Sequence, residues 1–244
     1  MNINKLLSNR VRNIKINPFI ADLEEQGEFL NSKIKDTKIL INCGDGTIGS
    51  SYIKQILNYK PSKLCVVDIN ENGLTELTRD LRSSSLLDYN PDYITYPVNL
   101  LSATFDKIFF SDHFGLVANF SAHKHVRSEK DKISVEALIK NNVYGAIKLL
   151  KLCEENPPNY FFSVSTDKAA NPVNIMGASK SLMEKLILSK KKYFRVSTAR
   201  FANVAFSNGS LLEGFINRLT KKQPLSCPED IKRFFVTPEQ SGKI

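Results

Sequence analysis

The chain predicts an α/β fold built on a doubly wound parallel sheet, and three observations carry that prediction. Short apolar runs of strand length alternate with longer amphipathic segments between Lys38 and Thr198, the rhythm of βαβ units. A glycine-rich turn, Gly44-Asp45-Gly46-Thr47-Ile48-Gly49, joins the first run to a helical segment. Hydroxyl, acid and amine side chains collect where runs end, above all at Ser165-Thr166-Asp167-Lys168. Ligands of open α/β sheets bind outside that carboxyl edge, so these residues are candidates for chemistry and not for surface decoration.

Taken in order, residues 1–36 read as an N-terminal helical arm, with Ile20, Leu23, Phe29 and Leu30 forming one packing face. Lys38 to Asn42 is a short buried strand, and Ser51 to Leu57 continues as a helix beyond the glycine turn. Gly44, Gly46 and Gly49 permit a tight turn and close approach of a ligand. The free N-terminal N–H groups and dipole of the following helix receive a pyrophosphate, with Thr47, Ile48 and Gly49 of the turn as further cofactor contacts. A second buried strand, Leu64 to Val67, ends in Asp68. A carboxylate there suits the adenosine ribose hydroxyls and repels a 2′-phosphate, which points to NAD and not NADP in an NAD(P)-binding Rossmann fold. Asp68 also suits an N-cap for the helix Asn70 to Leu81, and the two roles are compatible.

The alternation continues with a strand (Tyr93 to Val98), a helical segment (Ser102 to Phe110), a strand (Gly115 to Phe120) and one long amphipathic helix (Ser134 to Glu154). Strands follow at Tyr160 to Val164 and Phe194 to Thr198. Residues 37–200 form the dinucleotide-binding domain on this reading. Residues 201–244, where the alternation breaks down around a helix near Leu211 to Leu219, form the start of a smaller, incomplete substrate lobe.

Composition limits the alternatives. With 244 residues, 42% hydrophobic and 24% charged, the chain is long enough for a sizeable core and ordinary for a globular protein. No apolar run reaches membrane-spanning length, and Met1 to Ser8 lacks the features of a signal peptide, so a cytoplasmic location is expected. Cys43, Cys65, Cys153 and Cys227 contain no Cys-x-x-Cys pair, and the three histidines have no ligand spacing, so no metal is expected. The net charge of +9 is scattered, its densest cluster being Lys190-Lys191-Lys192, and no nucleic-acid motif accompanies it. A small anionic ligand accounts for the charge equally well.

Several segments then match a known pattern in order. Ala122-His123-Lys124-His125-Val126, Ser165-Thr166-Asp167-Lys168-Ala169-Ala170-Asn171-Pro172, Met176-Gly177-Ala178-Ser179-Lys180, Arg200-Phe201-Ala202-Asn203-Val204 and Arg233-Phe234-Phe235 resemble the extended short-chain dehydrogenase/reductase family. Within it they resemble the nucleotide-sugar 4,6-dehydratases of polysaccharide biosynthesis, especially those acting on UDP-N-acetylglucosamine. The resemblance runs over residues 37–244. It implies NAD as cofactor, a nucleotide-sugar substrate with UDP-N-acetylglucosamine favoured and a GDP-sugar as the alternative, and a homo-oligomer. The implied reaction oxidises sugar C4 by hydride transfer, eliminates water across C5 and C6, and returns the hydride to C6.

The resemblance also implies roles. Lys168 is the candidate base at C5, Asp167 the acid at C6, and Thr166 the group that orients the C4 hydroxyl. Lys180 holds the nicotinamide ribose, and Met176 stands where relatives carry a tyrosine. Gly44, Gly46, Thr47, Ile48, Gly49, Asp68, Ser121, Ala122, Lys124 and Asn142 line the cofactor, while Lys124, His125, Asn203 and Arg233 receive the nucleotide sugar. Burial and mutual coupling have to move the Asp167 and Lys168 pKa values far from their solution range for this chemistry.

Three departures qualify the match. Cys43 replaces the family's first turn glycine and Asp45 adds a carboxylate expected to oppose pyrophosphate. Met176 cannot exchange a proton, and the resemblance to tyrosine-free members implies retention at C5. Members of the family continue for roughly another hundred residues, about a small domain. A nucleotide-sugar epimerase or reductase, or a non-catalytic NAD-binding regulator, are the alternatives these departures leave.

Overall fold

The computed structural model describes residues 18–125, 129–227 and 233–244; residues 1–17 of the N-terminal arm and Val126 of the His-Lys-His segment lie outside the described residues. Helices α1 (Pro18–Glu25) and α2 (Gly27–Ile34) precede the sheet. The main body then runs β1 (Lys38–Asn42), α3 (Thr47–Leu57), β2 (Lys63–Asp68), α4 (Glu71–Ser83), β3 (Asp92–Pro97), α5 (Ala103–Phe110) and β4 (Leu116–Asn119). It continues through α6 (Lys132–Ile139), α7 (Gly145–Glu155), β5 (Tyr160–Thr166), α8 (Ile175–Leu188) and β6 (Arg195–Phe201).

The six strands pair in the order β3-β2-β1-β4-β5-β6, all parallel. This is the doubly wound Rossmann order, with the direction of winding reversing between β1 and β4. Successive side chains of a strand face opposite ways, so each strand feeds two cores. Leu40, Val67, Val117 and Phe161 pack with Phe105, Leu149 and Ile187 on one face. Ile39, Ile41, Val66 and Ala118 pack with Ile53, Leu57 and Leu74 on the other. Burial on both faces is why β1, β2 and β4 read as unbroken apolar runs.

At the carboxyl ends of the central strands this apolar rule gives way to a polar ladder. Asn42 Nδ2 donates to Asn119 Oδ1 at 2.9 Å, and Ser163 Oγ donates to the Asn119 carbonyl at 3.2 Å. The three residues stand at matched register on β1, β4 and β5. Their mutual hydrogen bonds offset the cost of burying them.

Several boundaries differ from the sequence expectation. The helix expected over Ser134 to Glu154 is interrupted by a π segment, Lys140–Tyr144, between α6 and α7. Such bulges add a residue to one turn and redirect its side chains, and hydrophobic periodicity does not register them. The strand expected to end at Val164 extends to Thr166, and the one expected to end at Thr198 extends to Phe201, because Thr166 pairs with Phe201. The helix after the glycine turn starts at Thr47, so the turn is tighter than expected.

Beyond β6, a short parallel pair joins β7 (Asn203–Val204) to β8 (Phe235–Val236). Helix α9 (Leu211–Thr220) lies between them in sequence, and α10 (Pro238–Lys243) follows. A capping box formed by Thr237 and Gln240 starts α10. That helix returns to the main body at α3, where a Cβ on Gly242 would sit 2.4 Å from the Ser51 carbonyl oxygen. Among the described residues no helix is long and apolar enough to cross a membrane.

Candidate functional site

The glycine turn fits a dinucleotide on two counts. A Cβ on Gly49 would come within 2.6 Å of the Cys43 carbonyl oxygen, and one on Gly44 within 2.4 Å of Val66 Cγ1, so the turn closes only with glycine at both positions. Helix α3 begins at Gly46 with no side-chain cap. By contrast α4, α5, α6, α8, α9 and α10 each receive a hydrogen-bonding cap from the preceding residue. The free amides and dipole of α3 thus face the carboxyl edge, ready for an anion. Cys43 adopts a left-handed backbone with φ 59°, a conformation that favours glycine. Its thiol is pushed up to about 12 by burial first and by the charge of Asp68 next, and is therefore no nucleophile.

Asp68, 5% exposed, accepts the Asn70 N–H at 3.1 Å and the Asp45 N–H at 3.3 Å, one on each oxygen. It is Asn70, not Asp68, that caps α4, by accepting the Gly73 N–H. Asp68 instead ties the end of β2 to the glycine turn. The Asp45 side chain turns away from the α3 amides, and its carboxylate accepts Asn70 Nδ2 at 2.7 Å.

Thr166, Asp167 and Lys168 come together at the end of β5. Thr166 Oγ1 donates to Asp167 Oδ1 at 3.0 Å, and Lys168 Nζ donates to the same oxygen at 3.1 Å. The two charged side chains are 40% (Lys168) and 52% (Asp167) exposed. Burial raises the Asp167 pKa, but the hydrogen bonds from Lys168 and Thr166 outweigh it and hold the carboxyl below its ordinary value. The burial expected for this pair is not supplied by the chain's own residues. What fixes the pair is the turn after it: Gly177 lets the Lys168 carbonyl approach α8, since a Cβ there would sit 2.6 Å from that oxygen.

Met176 and Lys180 share one face of α8, and both are 3% exposed. The Met176 N–H donates to Glu129 Oε1 at 2.7 Å, which anchors the start of α8, while its thioether packs in the interior. Lys180 Nζ lies 3.3 Å from Met183 Sδ. Burial pushes its pKa down to about 8, against the charges of Glu184 and Cys43. Glu184, one turn beyond Lys180, was not singled out from the sequence. It accepts a bidentate pair from Arg200, at 2.9 Å from Nε and 2.6 Å from Nη2. The i, i+4 spacing from Lys180 was the available signal.

The segment after β4 is held by Asn142, which is 1% exposed in the π segment. Its Oδ1 accepts the His123 N–H at 2.8 Å, and its Nδ2 donates to the His123 carbonyl and to Ser179 Oγ, both at 3.0 Å. Asn142 thereby fixes the loop carrying Ser121, Ala122, Lys124 and His125. Ser121 is buried and donates to Asn141 Oδ1, whereas Ala122, Lys124 and His125 are exposed at the edge. His125 lies against Gly209, and the Asn208 N–H donates to Thr47 Oγ1 at 3.0 Å, so the post-β6 loop closes on the glycine turn. Asn203 Nδ2 donates to the Phe234 carbonyl at 3.1 Å, next to the exposed Arg233.

The family described as "Polysaccharide biosynthesis protein" matches residues 39–244. The chain belongs to this family. A relative in Methanocaldococcus jannaschii, described as an uncharacterized membrane protein, is 31% identical over 86% of this chain and 62% of its own length. The UDP-N-acetylglucosamine 4,6-dehydratase (inverting) of Campylobacter jejuni is 30% identical over 84% of this chain and 61% of its own. The chain thus spans about three fifths of the length of these two relatives. The solved structure of UDP-glucuronic acid 4-epimerase from Bacillus cereus, in complex with UDP-glucuronic acid and NAD, superposes with a TM-score of 0.68. That match is 20% identical and covers 83% of this chain and 69% of the other, and it shows a shared fold.

Proposed function

We propose that this polysaccharide biosynthesis family member carries the cofactor site and acid–base centre of an NAD-dependent nucleotide-sugar 4,6-dehydratase acting on UDP-N-acetylglucosamine. The observation that carries the reading is the Thr166–Asp167–Lys168 group at the carboxyl end of β5, in which the Thr166 hydroxyl and the Lys168 ammonium both donate to one Asp167 oxygen. The similarity to the Campylobacter dehydratase supports the same reaction. NAD, when bound, supplies the hydride acceptor and donor. Gly44, Gly46 and the Thr47, Ile48 and Gly49 amides hold its pyrophosphate, Asp68 its adenosine ribose, and Lys180 its nicotinamide ribose. Residues 201–244 begin the substrate portion, with Asn203 and Arg233 toward the nucleotide diphosphate.

The Lys168–Asp167 ion pair explains how one edge supplies both an acid and a base. In water the pair is charged; a sugar covering it removes solvent and favours transfer of one proton from the ammonium to the carboxylate. That transfer leaves Lys168 as a neutral amine able to take the C5 proton, and Asp167 as an acid able to protonate the departing C6 hydroxyl. Once C4 is a ketone the C5 proton is acidic; its removal drives the C5 electrons into the elimination, water leaves, and the ion pair is restored. Thr166 orients the C4 hydroxyl and passes its proton toward water as C4 is oxidised, which leaves the proton shared by Lys168 and Asp167 for the elimination.

The test is incubation of the chain with NAD⁺ and UDP-N-acetylglucosamine, in parallel with a GDP-sugar, followed by absorbance of the 4-keto-6-deoxy product in alkali. A product with the C6 hydroxyl intact and C4 inverted would support the epimerase reading instead. The name of the Campylobacter relative argues for inversion at C5, against the retention implied by the missing tyrosine.

A further inference from the structure

The Asp45 carboxylate has no part in the reaction above, yet it stands inside the cofactor turn. Its N–H donates to Asp68 Oδ2 at 3.3 Å, and its own Oδ2 accepts Asn70 Nδ2 at 2.7 Å. It seats so closely over the first turn of α4 that a Cβ on Gly73 would fall 1.6 Å from Asp45 Oδ2. Two carboxylates from different elements, the glycine turn and the end of β2, therefore converge beside the start of α4. This is the corner at which an adenosine ribose would lie if Asp68 takes its hydroxyls.

We infer that Asp45 is a second specificity-determining residue, forming with Asp68 a two-carboxylate fork that selects NAD against NADP. The inference rests on the dinucleotide reading given above. Among the described residues, a 2′-phosphate entering this corner meets two acids and no cation: the ionisable groups facing Asp45 are Asp68 on β2 and the Cys43 thiol on the turn, with the neutral Asn70 amide beside them. Like charges brought together in a partly desolvated site strongly disfavour binding. A ribose diol, in contrast, donates hydrogen bonds to carboxylates. The Asp45 carboxyl is pushed up to about 7, by burial first and then by Asp68, so its charge, and with it the rejection of a 2′-phosphate, grows as pH rises through neutrality.

Isothermal titration calorimetry of the full chain with NAD⁺ and with NADP⁺, at about pH 6.5 and about pH 8.5, tests this without turnover. Wild type is expected to bind NAD⁺ in preference to NADP⁺, and the preference is expected to widen by about threefold at the higher pH. Asp45→Asn is expected to narrow the NADP⁺-to-NAD⁺ ratio of dissociation constants by about tenfold. It should also remove part of the pH dependence, the remainder belonging to the phosphate itself. A ratio unchanged in Asp45→Asn, with NAD⁺ still bound, overturns the inference and leaves the cofactor reading intact. Absence of NAD⁺ binding by folded wild type overturns both. Asp45→Ser is the second variant, and the wild-type pH series needs none.

Discussion

Lys180 shows how a residue legible in the sequence acquires its chemistry from neighbours that are not. Its motif marked it as a cofactor contact, but the charge state depends on burial and on Glu184, a turn away and locked to Arg200. Because the folded pKa is about 8 and the ordinary value 10.5, the unfolded chain binds more protons between those limits. Stability is therefore penalised below about pH 8 and rises with pH from there to about 10.5. Lys180→Met is expected to raise the unfolding free energy at pH 7 by roughly 1–3 kcal/mol. It should also flatten the rise above pH 8, as read from urea melts across pH. Glu184 keeps Arg200 in that variant, so no charge is orphaned. Cys43 and Asp45 were legible as departures from the glycine pattern. That the first sits in a left-handed backbone that favours glycine, and that the second bonds Asn70, are facts of three-dimensional structure.

At the scale of elements, periodicity located the sheet and its helices because burial of one or both faces writes itself into sequence spacing. It missed the π segment and the extra length of β5 and β6. Asn142 reverses its usual surface preference only because His123 and Ser179 are there to bond it, and Thr166 belongs to a strand only because Phe201 is opposite. The contact of the Asp167–Ala169 turn with α8 has the sharpest consequence. Gly177→Ala places a methyl group 2.6 Å from the Lys168 carbonyl oxygen, and the turn must shift. If the Lys168–Asp167 pair does the proposed chemistry, its displacement by a fraction of an ångström to an ångström predicts a loss of kcat of about a hundredfold with far-ultraviolet circular dichroism unchanged. An unaltered kcat would separate the position of that turn from catalysis.

For the whole molecule, the segment after β6 is the part least readable in advance. It was expected to begin a smaller lobe, and its alternation carries no fold signal. In the structure it returns to the six-stranded body at contacts that include Asn208 on Thr47 and α10 on α3. Neither contact has a local signature, since each joins residues far apart in the chain. Gly242→Val would drive a side chain into the Ser51 backbone. It is expected to cost about 1–3 kcal/mol of stability, measured by thermal unfolding, and to weaken NAD⁺ affinity through the disturbed α3. Unchanged stability would mean that α10 yields without consequence for the rest.

The central claim is that Lys168 and Asp167 remove water across C5 and C6 of a nucleotide sugar. Its most direct test is the proton NMR spectrum of UDP-N-acetylglucosamine incubated with the chain and NAD⁺ in deuterium oxide. The account predicts a new 6-methyl signal and deuterium at C5, both abolished in Lys168→Ala. A product epimerised at C4 that keeps its C5 proton and C6 hydroxymethyl group, or undiminished deuterium incorporation in Lys168→Ala, would contradict it.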